Sequence, residues 1–283
     1  MSPRPPRAGI IGWPVTHSRS PILHGYWLRK YGIAGSYEPI AIAPENFSAD
    51  FRALALQGFV GANVTIPHKQ AAMACCDELD FTAKRLGAVN TVNIKNGRFY
   101  GSNTDGFGFM ENLRQGAPDW KPQTGPAIII GAGGAARAVI AALGDSGVKE
   151  IHLFNRTRAR ANQLAADLGG PIVTGDWSEL ENTLFDCALL VNCSSLGMTG
   201  QPPLEISLQN LHPRAHVTDL VYTPLRTPLL IAAAARGNPT LDGLGMLLHQ
   251  ARPGFAAWFG LMPEVDDALR TLLLADIEGA KGN

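Results

Sequence analysis

Apolar runs alternate along this chain with segments of helical periodicity, and this alternation predicts an α/β fold. Short β-branched runs such as 127–130 are typical of strands buried in a parallel sheet. Similar runs predict strands at 8–12, 36–42, 62–66, 150–154, 185–192, 216–222 and 238–241, and a hairpin joins 86–94 to 98–101 through an Asn-Gly turn. Helical spacing predicts helices beginning near Pro21, Pro44, Asp105, Ala135, Pro228 and Asp242, and a C-terminal helix over 263–280.

A glycine-rich turn follows the strand at 127–130 and precedes an alanine-rich helix. Gly131, Gly133 and Ala136 occupy the G-x-G-x-x-G/A register of a dinucleotide-binding turn. The first glycine makes the turn, the second lets backbone approach a pyrophosphate, and the small third residue packs helix on strand. The helix N-terminus adds unpaired N–H groups that favour phosphate. A plain tight turn is the alternative, but the strand before and the helix after favour a dinucleotide site.

The end of the next strand indicates which dinucleotide binds. In a protein that uses NAD, this strand usually ends with an acidic residue that binds the ribose 2′-hydroxyl. Here it ends with Asn155, Arg156 and Thr157, and Arg160 follows. A guanidinium pairs with a 2′-phosphate, and arginine is poorly placed at a helix N-terminus unless an anion lies there. The alternative is a solvated basic helix start, but the sequence predicts NADP.

Composition narrows the class of protein. The chain has 283 residues, of which 46% are hydrophobic and 17% charged, and 24 basic residues balance 24 acidic ones. Zero net charge argues against a nucleic-acid or anionic-membrane binder. The four cysteines show neither CxxC nor disulfide-like spacing, which favours a reducing compartment, and no metal site is expected. Residues 1–7 lack an apolar signal core, and the apolar stretch near Arg137 is too glycine-rich to span a membrane. We therefore expect a soluble cytoplasmic protein.

Several polar residues in the first half of the chain are candidates for binding a small substrate. Ser18 and Ser20 lie beside a predicted helix N-terminus and could hold a carboxylate, although spacing alone favours plain capping by Ser20. Asn63 and Thr65 share one face of a predicted strand, and Lys69 lies just beyond its end. This lysine could act as a general acid or base, or it could be a solvated surface side chain.

Further candidates lie at predicted helix starts and after predicted strands. Asp105 could face the lysine, or it could simply cap its helix. The loop 193–198 follows a buried strand, where open α/β sheets bind ligands. Gly243 could let backbone approach a flat ring, and Gln250 could reach a substrate oxygen. A helix entry and a surface amide are the alternatives for these two.

Taken together, the motifs resemble the shikimate dehydrogenase family over nearly the whole chain. They are Gly12-x-Pro14-x-x-His17-Ser18-x-Ser20-Pro21-x-x-His24, Asn63-Val64-Thr65-x-Pro67-x-Lys69, Gly87-Ala88-Val89-Asn90-Thr91, Asn103-Thr104-Asp105-Gly106, the glycine turn, Asn155-Arg156-Thr157, Asp219-x-Val221-Tyr222-x-Pro224 and Gly243-x-Gly245-Met246-Leu247-x-x-Gln250. Each string alone is weak, but this many in the family's order is not expected by chance.

The resemblance implies NADPH-dependent reduction of 3-dehydroshikimate to shikimate in aromatic amino-acid biosynthesis. It implies two α/β domains: a discontinuous substrate-binding domain at 1–112 and 246–283, and a Rossmann-like NADP-binding domain at 113–245. A linker-like stretch at 116–125 lies near that boundary. The chain would be a monomer or a homodimer. The alternatives are an NAD-dependent quinate/shikimate dehydrogenase, a silent NADP sensor, and an enzyme acting on a modified shikimate.

The resemblance also implies roles for individual residues. Lys69 and Asp105 are the implied catalytic pair. The implied substrate-binding residues are Ser18, Ser20, Asn63, Thr65, Lys69, Asn90, Asp105, Tyr222 and Gln250. The implied cofactor-binding residues are Gly131, Ala132, Gly133, Gly134, Ala135, Asn155, Arg156, Thr157, Arg160, Met198, Leu220 and Gly243.

Overall fold

The chain forms two compact units in a computed structural model that describes residues 5–279. One unit comprises the residues up to Thr104 together with those from Gln250, and the other comprises Asp105–His249. Both units combine a sheet with helices, so the predicted α/β class is confirmed. The predictions for residues 1–4 and for Ala280 lie outside the described residues.

A six-stranded mixed sheet forms the first unit. Its strands are β1 (Arg7–Gly12), β2 (Ser36–Ala41), β3 (Phe59–Val64), β4 (Glu78–Leu79), β5 (Thr91–Lys95) and β6 (Arg98–Ser102). Their order is β2-β1-β3-β5-β6-β4. β1 runs parallel to β2 and β3, whereas β5 is antiparallel to β3 and β6. The hairpin between β5 and β6 has positive φ at Asn96 and Gly97, as the predicted Asn-Gly turn requires.

Helices pack beside this sheet over an apolar core. They are α1 (Ser20–Lys30), α2 (Phe47–Ala53), α3 (Lys69–Cys75) and α4 (Phe81–Leu86). Phe47, Phe51, Phe59 and Phe99 are buried in one cluster with aliphatic residues of β1, β3 and β5. This cluster holds the strand ends in fixed positions, and those ends carry the polar candidates.

Three local predictions for this unit are wrong. Ser20 is the first helical residue of α1 rather than its cap, and Ser18 Oγ accepts a hydrogen bond from Ser20 N at 3.3 Å. The helix predicted to begin near Pro44 is a 3-10 turn over Pro44–Asn46 followed by the short α2. Ile66 is not in a strand, because β3 ends at Val64 and the Ile66 side chain is 76% exposed.

The second unit is built on a parallel sheet. Its strands are β7 (Ala127–Ile130), β8 (Ile151–Phe154), β9 (Ile172–Thr174), β10 (Leu189–Asn192), β11 (His216–Asp219) and β12 (Thr240–Leu241). The order is β12-β11-β10-β7-β8-β9, with every described pairing parallel. Strand order reverses between β7 and β10, and ligands bind beside such a switch point in doubly wound sheets.

Apolar side chains cover both faces of this parallel sheet. Ala127 and Ile129 of β7 belong to one core cluster, while Ile128 and Ile130 belong to the other. The helices are α5 (Asp105–Gly116), α6 (Gly134–Ser146), α7 (Arg158–Leu168), α8 (Leu180–Thr183) and α9 (Pro228–Ala235). Burial on both faces explains why continuous apolar runs predicted these strands.

The boundary between the units falls within α10 (Leu244–Phe259), and α11 (Asp267–Gly279) ends the described chain. The C-terminal helix therefore begins later than the predicted position 263. The strand predicted over 185–192 is also shorter, because Leu184–Asp186 form a 3-10 turn and Phe185 is 77% exposed. Among residues 5–279, no helix has both the length and the apolar character needed to cross a bilayer.

Candidate active site

The glycine turn lies at the carboxyl end of β7. Gly131 has φ of 106°, and a Cβ there would lie 3.0 Å from Ser194 N, so only glycine fits. Gly133 occupies the N-cap position of α6, where no side chain caps the helix. A Cβ on Gly133 or Gly134 would meet nothing within 4 Å. Open space therefore adjoins a helix N-terminus, and this arrangement fits the diphosphate of a dinucleotide.

A cavity of about 620 Å³ extends along this edge of the parallel sheet. Three predicted cofactor residues line it, namely Gly131, Asn155 and Arg156. The other lining residues are Ile130, Trp177, Ser194, Ser195, Leu196, Gln201, Pro202, Pro203 and Glu205. Ser194, Ser195 and Leu196 belong to the loop 193–198, which the sequence predicts to bind a ligand. Sequence reasoning missed the rest of this group, because the segments after β9 and β10 meet here only through the strand order.

Three arginines beyond β8 differ in their partners. Arg158 forms an ion pair with Asp176. Arg156 and Arg160 are exposed, and neither makes an ion pair within the described part of the chain. Asn155 Nδ2 donates to the carbonyl of Thr157 at 2.8 Å, which fixes the turn that presents Arg156. The guanidinium of Arg156, which lines the cavity, and that of Arg160 in α7 are thus available for an anion such as a 2′-phosphate.

The remaining predicted cofactor residues lie at the same edge. A Cβ on Gly243 would lie 2.2 Å from the carbonyl oxygen of Leu220, so these two backbones approach as only glycine allows. Met198 is 38% exposed. The next residue, Thr199, donates its N–H to the carbonyl of Thr223 at 2.8 Å and so joins the Met198 loop to the segment that carries Tyr222.

In the first unit, hydrogen bonds connect several predicted substrate residues. Asn63 Nδ2 donates to the carbonyl of Asn90 at 3.3 Å. Asn90 Oδ1 accepts from the backbone N–H of Thr104 at 2.9 Å, and the Thr104 hydroxyl donates to the carbonyl of Gln250 at 2.8 Å. Asn63, Asn90 and Thr104 are all buried. The network therefore fixes the amide orientations of this unit's polar site.

Other predicted residues of this unit lie where its strands end and its helices begin. Lys69 is half-buried at the start of α3, and its carbonyl accepts from the N–H of Val89 at 2.9 Å, beside Asn90. The half-buried Thr65 follows β3, and its carbonyl accepts from His68 N at 2.9 Å. Ser20 is buried at the first position of α1. Asn63, Asn90 and Thr104 thus form one hydrogen-bonded polar region in the first unit, while the half-buried Asp105 and Tyr222 belong to the second unit.

The half-buried Tyr37 and the buried His24 were missed by sequence reasoning as components of this site. The Tyr37 hydroxyl donates to Asn63 Oδ1 at 2.7 Å, and burial raises the pKa of Tyr37 well above its usual value. The His24 ring stacks on Tyr37 with centroids 3.8 Å apart. Burial lowers the pKa of His24 to about 3. The family motif contains His24, but Tyr37 carries no local signal.

The depressed pKa of His24 predicts acid sensitivity. Between pH 3 and its ordinary pKa of 6.5, His24 stays neutral in the fold but is protonated when unfolded. The unfolded state therefore binds an extra proton, and the free energy of unfolding falls by about 1.4 kcal/mol per pH unit below pH 6.5. Urea unfolding from pH 7 to 4.5 measures this slope.

His24→Phe supplies the matched control, because it keeps an aromatic ring against Tyr37 without the titration. The carboxylates are common to both proteins, so the difference between the two slopes isolates His24. Equal slopes would show that His24 does not titrate in this way.

These features define a dinucleotide-binding α/β protein with a separate polar site. A family model described as "Shikimate dehydrogenase substrate binding domain" matches residues 10–92, and one described as "Shikimate / quinate 5-dehydrogenase" matches 117–197. The chain belongs to the shikimate dehydrogenase family, which confirms the resemblance of its motifs. It is 58% identical over 276 residues to a Paramagnetospirillum magneticum protein named shikimate dehydrogenase (NADP(+)), covering 97% of this chain and 100% of the relative.

Solved structures of relatives have the same fold. A Thermus thermophilus shikimate 5-dehydrogenase in complex with NADP(H) and shikimate is 36% identical, with a TM-score of 0.84 over 94% of this chain and 99% of that one. A Corynebacterium glutamicum quinate dehydrogenase in complex with NAD is 33% identical, with a TM-score of 0.88 over 96% and 99%. Relatives of this fold therefore include both kinds of dehydrogenase.

Proposed function

We propose that this chain catalyses the reversible NADP-dependent reduction of 3-dehydroshikimate to shikimate, a step of aromatic amino-acid biosynthesis. The observation that carries the proposal is the match over nearly the whole chain to relatives named shikimate dehydrogenase (NADP(+)). Arg156 in the cavity lining and the nearby α7 residue Arg160 support the choice of NADP, because neither forms an ion pair within residues 5–279 and no acidic residue ends β8.

The nucleotide binds along the carboxyl edge of the parallel sheet in this proposal. Backbone N–H groups of the turn from Gly131 to Ala135, Ala132 included, hold the diphosphate. Arg156 and Arg160, with Asn155 and Thr157, hold the 2′-phosphate. Met198, Leu220 and Gly243 border the nicotinamide. When bound, the cofactor supplies the hydride that adds to the ring carbonyl carbon of the substrate.

The substrate binds to the polar region of the first unit. Ser18 and Ser20 hydroxyls donate to its carboxylate, supported by the N-terminus of α1. The amides of Asn63, Asn90 and Gln250 and the hydroxyl of Thr65 bind its ring hydroxyls, and the tyrosine Tyr222 borders it. Tyr37 holds the Asn63 side chain in place, and Thr104 holds that of Asn90. Because both amides are oriented before the substrate binds, little side-chain entropy is lost on binding.

Lys69 and Asp105 carry the proton transfer in this proposal. As the hydride reaches the carbonyl carbon, negative charge develops on the oxygen. The Lys69 ammonium stabilises that charge and donates a proton to it, which completes the alcohol. Asp105 orients Lys69 and accepts a hydrogen bond from a neighbouring substrate hydroxyl. In the oxidation direction, the same lysine takes the hydroxyl proton.

The setting of the enzyme is also part of the proposal. We assign substrate binding to 1–112 with 246–283 and NADP binding to 113–245, as the sequence predicts. The protein works in the cytoplasm as a monomer or homodimer, without a metal and without nucleic-acid or membrane partners. The zero net charge and the cysteine spacing support this setting.

A cofactor and substrate panel tests the function. Shikimate, quinate and aminoshikimate are each assayed with NADP⁺ and with NAD⁺ by the absorbance of the reduced nicotinamide. We expect the highest kcat/KM for shikimate with NADP⁺. A preference for quinate with NAD⁺ would replace the proposal with a quinate dehydrogenase. NADP⁺ binding without turnover of any substrate would indicate a sensor instead.

A further inference from the structure

We propose that Asn192 and Asp219 are positioning residues that set one wall of the nucleotide cavity, the loop from Ser194 to Leu196. The proposal rests on the function proposed above, since it treats this cavity as the nucleotide site. Neither residue lines the cavity, and both are fully buried. They act through the loop that does line it.

Both ends of the Asn192 side-chain amide, its oxygen and its nitrogen, hydrogen-bond to the loop from Ser194 to Leu196. Its Oδ1 accepts from the backbone N–H of Ser194 at 3.0 Å and from the Ser194 hydroxyl at 2.7 Å. Its Nδ2 donates to the carbonyl of Leu196 at 3.1 Å. Ser194 Oγ in turn accepts from the N–H of Leu196 at 3.2 Å. Four hydrogen bonds thus define the path of a loop that has no regular secondary structure.

Asp219 determines which way this amide points. Asn192 and Asp219 are register partners in β10 and β11, and Asn192 Nδ2 also donates to Asp219 Oδ1 at 2.9 Å. An ionised carboxylate only accepts hydrogen bonds, so the NH₂ end of Asn192 must face it. The oxygen end is then left for Ser194. A flipped amide would place two oxygens together and leave the Ser194 donors unpaired.

Two other donors hold the carboxylate of Asp219. The N–H of Val221 donates to Oδ1 at 3.0 Å, and the hydroxyl of Thr227 donates to Oδ2 at 2.7 Å. Thr227 also caps α9 by accepting from Leu230 N. Burial raises the pKa of Asp219, and these donors oppose the rise. The carboxylate is therefore fixed by β11 and α9, on the side of the network away from Ser194.

The loop from Ser194 to Leu196 lies against the glycine turn, so a displacement of the loop would also affect the turn. The Cβ position of Gly131 lies 3.0 Å from Ser194 N, and Cys193 N donates to the carbonyl of Ile130 at 2.8 Å. Ser194, Ser195 and Leu196 line the cavity with Arg156. Any change in the path of this loop therefore changes the space offered to the nucleotide. The polar region of the first unit has no residue in this network.

Calorimetric titration with adenosine 2′,5′-bisphosphate tests the inference, with KM for shikimate and Tm measured on the same proteins. Asn192→Leu is expected to weaken binding of this nucleotide about 10-fold or more, because buried donors of the loop lose their acceptor. KM for shikimate should stay within about twofold. An unchanged nucleotide Kd in this variant would overturn the inference.

Two further variants separate positioning from general stability. Thr227→Val removes a donor on the far side of Asp219, so we expect a lower Tm with an unchanged nucleotide Kd. Asp219→Asn keeps the shape but gives Asn192 a partner that can donate as well as accept, so we expect a loss of nucleotide affinity that is smaller than in Asn192→Leu. A Thr227→Val variant that loses affinity as Asn192→Leu does would indicate a purely structural network and contradict the proposal.

Asn192→Asp covers the case in which the leucine variant does not fold. It sets two carboxylates against each other, and a shared proton can replace the lost N–H at low pH. The ratio of its nucleotide Kd to the native Kd should therefore rise from pH 6 to pH 8.5, and adding Asp219→Asn should remove the rise. A ratio independent of pH would overturn the inference. Failure of the native protein to bind the bisphosphate would instead refute the proposed function.

Discussion

Lys69→Ala is expected to lower kcat for shikimate oxidation by about 10²–10⁴-fold, the usual contribution of a positioned acid or base. The lost ammonium is the group that stabilises the developing alkoxide and exchanges its proton. Lys69 begins α3 in the first unit, whereas the nucleotide cavity belongs to the second. The Kd for adenosine 2′,5′-bisphosphate should therefore stay unchanged. Stopped-flow and steady-state assays measure kcat, and calorimetric titration measures the Kd for the bisphosphate.

Lys95→Ala is the matched control for that variant. Lys95 is an exposed lysine at the end of β5, in the hairpin of the same unit. Its loss should leave kcat and KM within about twofold of the native values, as for surface substitutions in general. Near-native turnover in Lys69→Ala would remove this lysine from the mechanism and leave the proton donor unassigned.

The strands of the second unit were predictable because their environment is simple. A parallel strand covered on both faces needs an unbroken apolar run, and 127–130 supplies one that the structure buries completely. The short helix α2 was not predictable in length, since a 3-10 turn and an α-helix share local spacing over one or two turns. Ser20 was misplaced by one position for a similar reason, because caps and first turns favour the same residues.

The candidate site likewise contains some residues that could be predicted from the sequence and others that could not. Glycines, prolines and charged residues at strand ends form recognisable sequence patterns, and for this reason Gly131, Arg156 and Lys69 were predicted from the sequence. Tyr37 and Trp177 were not, because their importance depends on contacts with distant segments. Tyr37 meets Asn63 only because β1 lies between β2 and β3. Trp177 lines the nucleotide cavity only because β9 follows β8 at the sheet edge.

The arginines after β8 differ in whether they form an ion pair within the fold, and this difference determines which of them can bind an anionic ligand. Arg158 is engaged with Asp176, so its charge is already partly compensated. Arg156 lines the cavity, and neither it nor Arg160 has a carboxylate partner among residues 5–279. The family resemblance already implied Arg156 and Arg160 as cofactor-binding residues, and the ion pair of Arg158 gives a physical reason for leaving that arginine out. The structure therefore makes a specific prediction about which of them selects NADP over NAD.

Arg156→Gln is expected to raise KM for NADP⁺ about 10- to 100-fold while changing KM for NAD⁺ little. A charge-assisted bond to the 2′-phosphate contributes about 1.5–3 kcal/mol, and NAD lacks that phosphate. The double variant Arg156→Gln/Arg160→Gln should lose most of the preference for NADP⁺. The ratio of kcat/KM for the two cofactors, measured with saturating shikimate, reports the change.

Arg158→Gln is the control, since it removes an arginine that already pairs within the fold. We expect it to lower Tm slightly and to leave the cofactor ratio within about twofold. A double variant at 156 and 160 that still preferred NADP⁺ would show that the 2′-phosphate is recognised elsewhere. In that case the loop residues Ser194 and Gln201, which also line the cavity, would be the next donors to replace.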